Sequence, residues 1–280
     1  MLLLASLSSA SRRLAPPPGH GLAEISAQAR QVLADVDNLV KRANERSEPR
    51  SGPFRLGVIP TVAPYILAPA LRMLARRFPQ LRPEVTEDQT VRLLDELTEG
   101  SLDAVVLALP TNAKTVVEVP LYWEPFVLLL PPEHPLAGRG GLDLAVLRDL
   151  RLLLLEEGHC LAGQAFDVCR QVGAATDHAA RAASLTTIAQ LVAAGLGATL
   201  LPATALPVET RKGKLAVARF RAPAPGRRIG LVFRAADARS SEYLQLAEYL
   251  RRALDRPGFA GRIERGPSSD RTAALGSSRP

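Results

Sequence analysis

Cys160 and Cys169 are the residues of this chain whose type and spacing are best suited to chemistry. They lie in the segment Glu156-Glu157-Gly158-His159-Cys160-Leu161-Ala162-Gly163-Gln164-Ala165-Phe166-Asp167-Val168-Cys169. Cys160 follows the apolar run 152–155 and opens a helical pattern, with His159 beside it. The start of a helix carries partial positive charge, which together with a neighbouring cation stabilises a thiolate. A reachable thiolate is what peroxide requires to form a sulfenic acid. Cys169 has other surroundings: Leu161, Ala165, Val168, Cys169 and Val172 fall on one helical face, the pattern of a buried small hydrophobe. Along an intact helix the step from one cysteine to the other spans ~13 Å, whereas a disulfide needs its Cα atoms within ~7 Å. The pair is therefore no static crosslink. It is either a conformational redox switch, for which the helix must unwind, or two unrelated core thiols.

Other catalytic signatures are missing. The chain has no Gly-x-Gly-x-x-Gly, no Walker loop, no His-Glu-x-x-His and no Gly-x-Ser-x-Gly. Its histidines, His20, His134, His159 and His178, are scattered without metal-ligand spacing, so neither a metal nor a cofactor is expected. Two cysteines are too few for a small secreted disulfide scaffold, and 1–10, though apolar, has no basic leader and is followed by Arg12 and Arg13. The reading is a cytoplasmic protein with reduced thiols. The apolar runs, such as 104–109 and 126–130, fall far short of the ~20 residues of a membrane span, so no membrane partner is expected.

The 280 residues suggest about two domains. The net charge of +7 invites a nucleic-acid reading, but its location weakens it. Residues 1–55 hold 8 basic and 5 acidic side chains, 256–280 hold 5 and 2, and the body between them 22 and 21. The body thus shows no compositional sign of gripping a phosphate backbone.

Elements follow from periodicity. From Leu22 to about Glu45, Ile25, Ala29, Val32, Val36, Leu39 and Ala43 form a heptad seam, which suits either a dimerising helix or one packed on its own domain. Beyond it, strands are expected at 54–59, 84–87 and 104–109, with helices at 65–78 and 90–99, the latter capped by Thr90. A second set comprises strands at 126–130, 152–155, 198–201 and 228–234, and helices at 161–172, 185–194 (capped by Ser184) and 242–254. Strands alternating with helices argue for parallel sheet, here in two α/β lobes with a cleft at the carboxyl ends of the strands.

The chain resembles the OxyR-type hydrogen-peroxide sensors among the LysR-type transcriptional regulators. Gly158-His159-Cys160-Leu161 with Gln164 is similar to the family's peroxide loop, and Cys169 stands where the resolving cysteine does. Gly57-Val58-Ile59-Pro60-Thr61-Val62-Ala63-Pro64-Tyr65 resembles its first strand and loop, and Glu87-Asp88-Gln89-Thr90 its Glu-Ala-Gln-Thr segment. Leu200-Leu201-Pro202-Ala203 and Arg227-Arg228-Ile229-Gly230-Leu231-Val232-Phe233-Arg234 complete a likeness running from about Gly52 to Leu254.

The resemblance implies a bilobed, periplasmic-binding-protein-like α/β effector domain preceded by a long linker helix. It implies that Cys160 is the peroxidatic thiol and Cys169 its resolving partner in an intramolecular disulfide. Thr61, Thr90, His159, Gln164 and Arg227 would line the peroxide pocket; the plainer roles are a turn for Thr61, a cap for Thr90 and a solvated surface for Arg227. Gly163 departs from the family, which often has Asp there. The organisation expected is a remnant of a DNA-binding wing over 1–21, the linker helix and linker over 22–53, and the effector domain over 54–255. One lobe would take about 54–123 and 231–255, the other about 124–230, and 256–280 would be a disordered tail. Residues 1–21 cannot hold the family's helix-turn-helix. The expected function is therefore a peroxide-responsive regulator or its truncated sensor part, not an enzyme. Its partners would be hydrogen peroxide and a second copy, as dimer or tetramer, with promoter DNA and RNA polymerase only if a complete helix-turn-helix stands upstream. The alternative is an effector domain that binds a small metabolite, with no redox role.

Overall fold

A computed structural model of the chain describes Ile25 and residues 51–156, 160–174, 176–211 and 214–264, with 176–181 as backbone alone. The helix expected from Leu22 to Glu45 lies outside these residues except for Ile25, which is helical and exposed. The chain forms β1 (Gly52–Val58), α1 (Ala63–Arg77), β2 (Leu81–Glu87), α2 (Thr90–Glu99), β3 (Ala104–Leu109) and the long β4 (Val116–Leu130). A 3-10 turn (Leu144–Asp149) leads to β5 (Leu152–Leu155), α3 (Cys160–Gln171), β6 (Thr176–Ala182), α4 (Leu185–Ala193) and β7 (Thr199–Pro202). A second 3-10 turn (Ala203–Ala205), α5 (Leu206–Glu209), β8 (Ala216–Ala218), β9 (Gly226–Arg234), α6 (Ser240–Leu254) and β10 (Arg262–Ile263) follow.

The unbroken apolar run of β3 is buried at every position, because helices cover one face of the sheet and further structure the other. The main sheet has the order β10-β4-β9-β3-β1-β2, with β7 and β8 also on β4. β1 runs parallel to β2 and β3, as the crossovers through α1 and α2 require. β9 runs antiparallel to both β3 and β4, so the sheet is mixed where alternation alone suggested parallel strands. β9 arrives through a long excursion instead of a helical crossover, and nothing in its apolar run dictates its direction.

β4 serves two packing units. Residues 116–125 pair with β9, whereas 126–130 pair with β7 and β8. α1, α2 and α6 pack with the first unit, and α3, α4 and α5 with the second, around one continuous apolar core. β9 already pairs with β4 at Gly226, earlier than the return near 231 suggested by the sequence. Ser184 caps α4 as expected, its Oγ accepting from the Thr187 N–H at 3.1 Å. Of the tail expected over 256–280, residues 256–264 are packed on the sheet and the rest lies outside the described residues. Phe259 packs edge-on against Tyr122, and Arg262 and Ile263 pair with Trp123 and Tyr122, because an aromatic and an edge strand outweigh the Gly- and Pro-rich composition. Among the described residues no helix is long and apolar enough to cross a membrane.

Candidate functional site

Parallel strands β1 and β2 end side by side, with Val58 opposite Glu87, and each feeds a helix. Thr61 and Thr90 stand equally far beyond those ends, on one edge of the sheet. Thr61 occupies the tight turn into α1, where its neighbours Val62 and Ala63 donate to the Ile59 carbonyl at 2.9 and 3.0 Å. Thr90 does not cap α2. Gln89 is the extended N-cap residue, so Thr90 is already helical, and its buried Oγ1 has no hydrogen-bond partner among the described residues.

Arg227 of β9 lies opposite Glu124 of β4 in the antiparallel register, and both side chains are fully buried. Its Nε donates to Glu124 Oε1 at 2.6 Å, Nη1 to Thr61 Oγ1 at 2.9 Å and Nη2 to the Thr61 carbonyl at 3.0 Å. Thr204 donates its hydroxyl to Glu124 Oε2. Burial alone would push the guanidinium toward neutrality. The charge of Glu124, with Cys160 and Tyr122 behind it, outweighs burial and raises its pKa above the ordinary value. Arg227 is thus a fixed, dry cation, and the solvated-surface role is excluded. Its Nη1 stands 4.0 Å from Cys160 Sγ.

Cys160 is the first residue of α3 and half-buried, which puts its sulfur at the positive end of the helix as well as beside Arg227. Gln164 shares the Cys160 face one turn on, and its buried Oε1 has no partner among the described residues. Leu161, Ala165, Val168 and Cys169 face the core. Burial pushes the Cys169 thiol up to about 11, so it stays protonated at neutral pH. Both cysteines are free thiols, and α3 runs unbroken between them, which keeps them ~13 Å apart along its axis.

The structure therefore brings Thr61, Arg227 and Cys160 together and sets Gln164 on the same helix face as Cys160. Thr90 lies on the sheet edge that carries Thr61, and His159 is outside the described residues. Buried polar atoms without partners are rare, and Thr90 Oγ1 and Gln164 Oε1 are what a pocket for a small polar ligand offers. Sequence reasoning missed Glu124 and Thr204, and with them Tyr65, whose hydroxyl donates to Glu209 Oε1 at 2.8 Å. A signal existed for Glu124: a single acid inside the apolar stretch 119–130 must find a buried partner. Among the described residues no group of three or more His, Cys, Asp or Glu side chains is placed to hold a metal.

A bilobed α/β fold with a free thiol held beside a buried cation at a helix start defines a class of effector-binding regulatory domain, and the chain belongs to the LysR substrate binding domain family, whose model matches residues 47–255. It is similar to the probable hydrogen peroxide-inducible genes activator of Streptomyces viridosporus, with 52% identity over 243 residues, covering 86% of this chain and 77% of that protein. It is similar to the DNA-binding transcriptional dual regulator OxyR of Escherichia coli strain K12, with 43% identity over 228 residues, covering 81% and 75%. Among solved structures, a hydrogen-peroxide-bound cysteine-to-serine mutant of Corynebacterium glutamicum OxyR matches with a TM-score of 0.72 at 42% identity, covering 85% of this chain and 74% of that one. The reduced form of OxyR matches with a TM-score of 0.67 at 42% identity, covering 74% and 98%. The fold is accordingly the periplasmic-binding-protein-like one expected from the sequence.

Proposed function

We infer that this chain senses hydrogen peroxide for a LysR-type transcription regulator and is switched by a Cys160–Cys169 disulfide. The observation that carries this reading is a buried, permanently charged Arg227 held 4.0 Å from a thiol at a helix start. The relatives named as peroxide-inducible gene activators and the peroxide-bound OxyR structure support it. Thr61, Thr90, His159, Gln164 and Arg227 are the pocket residues in this reading: hydroxyl, amide, imidazole and guanidinium groups together donate to and accept from both oxygens of peroxide.

In the first step the Cys160 thiolate attacks one peroxide oxygen and the O–O bond breaks. The departing hydroxide takes a proton and leaves as water. Sulfur loses two electrons, peroxide gains them, and Cys160 becomes a sulfenic acid. In the second step the Cys169 sulfur gives up its proton and attacks the sulfenic sulfur, the S–O bond breaks, and a second water leaves as the disulfide forms. Cys169 is protonated and on the wrong side of the distance limit until α3 opens. Assembly as a dimer or tetramer in the cytoplasm, and action on promoter DNA and RNA polymerase through a helix-turn-helix, belong to the same proposal. A monomer in sedimentation at every accessible concentration would count against the assembly.

Peroxide stoichiometry tests the function. A sensor consumes one equivalent and stops, which is the expected result. Continued turnover with a thiol reductant would make the protein a peroxidase. No consumption at all would leave the metabolite-binding domain as the reading.

A further inference from the structure

A second buried polar cluster lies close to Arg227 and contributes none of the groups assigned above to the sulfur chemistry. The Tyr65 hydroxyl on α1 donates to Glu209 Oε1 at 2.8 Å, and Thr186 Oγ1 on α4 donates to the same oxygen at 3.2 Å. Tyr65 is 7% and Glu209 5% exposed. Burial first, and then the charge of Glu209, push the Tyr65 phenol far above its ordinary range, so its hydroxyl keeps its proton and remains a donor. The bond spans the two packing units: α1 packs on β2 in the first, while α4, which contacts α5, packs on β5 and β7 in the second.

Both ends of this bond lead by short stretches of chain to the groups that grip Arg227. Tyr65 follows Thr61 by one helical turn, and Thr61 accepts from the guanidinium through both its hydroxyl and its carbonyl. Glu209 closes α5, which continues directly from the 3-10 turn carrying Thr204, and Thr204 holds the Glu124 carboxylate that accepts from Arg227 Nε. The path Arg227–Thr61–Tyr65–Glu209–Thr204–Glu124–Arg227 closes on itself. Thr61, one arm of the grip, leads into α1 of the first unit and Thr204, the other, belongs to the second. The Tyr65–Glu209 hydrogen bond ties the two, beside the packing of α1 on the 3-10 turn that carries Thr204.

We propose that Tyr65 and Glu209 are positioning residues: their hydrogen bond fixes the two arms relative to each other and so sets where the Arg227 guanidinium faces Cys160. The proposal rests on reading Cys160 as the peroxide-reactive thiol. A reacting group displaced by as little as ~1 Å loses much of its effect, and without the tie only packing holds α1, and with it the Thr61 arm, against the turn that carries Thr204.

The test follows the first step alone, in the full chain carrying Cys169→Ser, by trapping the Cys160 sulfenic acid and measuring its rate of formation with peroxide. Tyr65→Phe removes a single oxygen atom and should slow the step about tenfold, the effect of losing one buried hydrogen bond. Glu209→Ala should slow it equally, and the double variant should be no slower than either single. Glu209→Gln keeps an acceptor for Tyr65 and should restore the rate to within about twofold of the parent. Melting temperatures separate this from a merely structural role, which would lower stability while leaving the rate unchanged. A Tyr65→Phe rate equal to the parent's, or Glu209→Gln as slow as Glu209→Ala, overturns the proposal; if Glu209→Ala does not fold, Tyr65→Phe decides. A parent that forms no sulfenic acid brings down the reading of Cys160 itself, a different failure from a parent that reacts while Tyr65→Phe keeps pace with it.

Discussion

Arg227 and Glu124 are fully buried ions, and taking them out of water costs several kcal/mol each, which their mutual attraction and the hydrogen bonds to Thr61 and from Thr204 must offset. An apolar pair would hold β4 to β9 as well. The charge is retained, on this account, because it faces Cys160. Arg227→Met should lower the stability to urea by about 3–5 kcal/mol, because Glu124 is left buried and unpaired. Adding Glu124→Leu should recover most of that stability and none of the peroxide reactivity; a double variant that regains both would show that the cation is not needed. Cys169 gives a pH dependence whose sign is fixed. Its thiol in the folded protein is pushed from near 9 up to about 11, so the native state holds that proton more tightly than the unfolded chain does. This contribution to stability is complete below about pH 9 and is lost as pH rises through about 11. Urea midpoints across that window should fall for the parent and fall less for Cys169→Ala. Equal slopes would mean that the thiol is not protected.

At the scale of elements, α3 decides whether the two sulfurs meet. Gly163 lies inside it, and a Cβ built there meets nothing within 4 Å. Glycine at such a position weakens a helix by about 0.5–1 kcal/mol relative to alanine. Gly163→Ala should therefore leave sulfenic acid formation unchanged and slow disulfide formation about two- to fivefold, seen as a longer-lived trapped sulfenic acid. An unchanged second step would mean that α3 need not unwind. The sequence makes α3 legible because its apolar face repeats at helical spacing, and β3 because its run is unbroken. It does not announce β6, whose residues Thr-Asp-His-Ala-Ala-Arg-Ala show no strand alternation, nor the first two thirds of β4, where Pro120 and Pro125 read as strand breakers. The thiols, Thr61, Gln164 and Arg227 are readable as motifs. Glu124 is not, because its pairing with Arg227 spans 103 positions and depends on the β4–β9 register. Threonine favours a cap, which is why Thr90 suggests one, and the helix begins one residue too early for it.

For the whole molecule, β4 carries both packing units on one continuous core, and α3 packs on β5 within the second. On this account, opening α3 to bring Cys169 out of that core takes Leu161, Ala165 and Val168 with it, so that a Cys160–Cys169 bond would repack one unit. Such a change is what a regulator needs to pass a local oxidation to an assembly. The most direct test is to treat the reduced protein with one equivalent of peroxide, map its thiols by peptide mass spectrometry and follow hydrogen exchange across 161–171. The account predicts a single Cys160–Cys169 disulfide, formed only when Cys160 is present, together with loss of exchange protection over α3. Two free thiols after peroxide, or a disulfide with α3 protection unchanged, would contradict it.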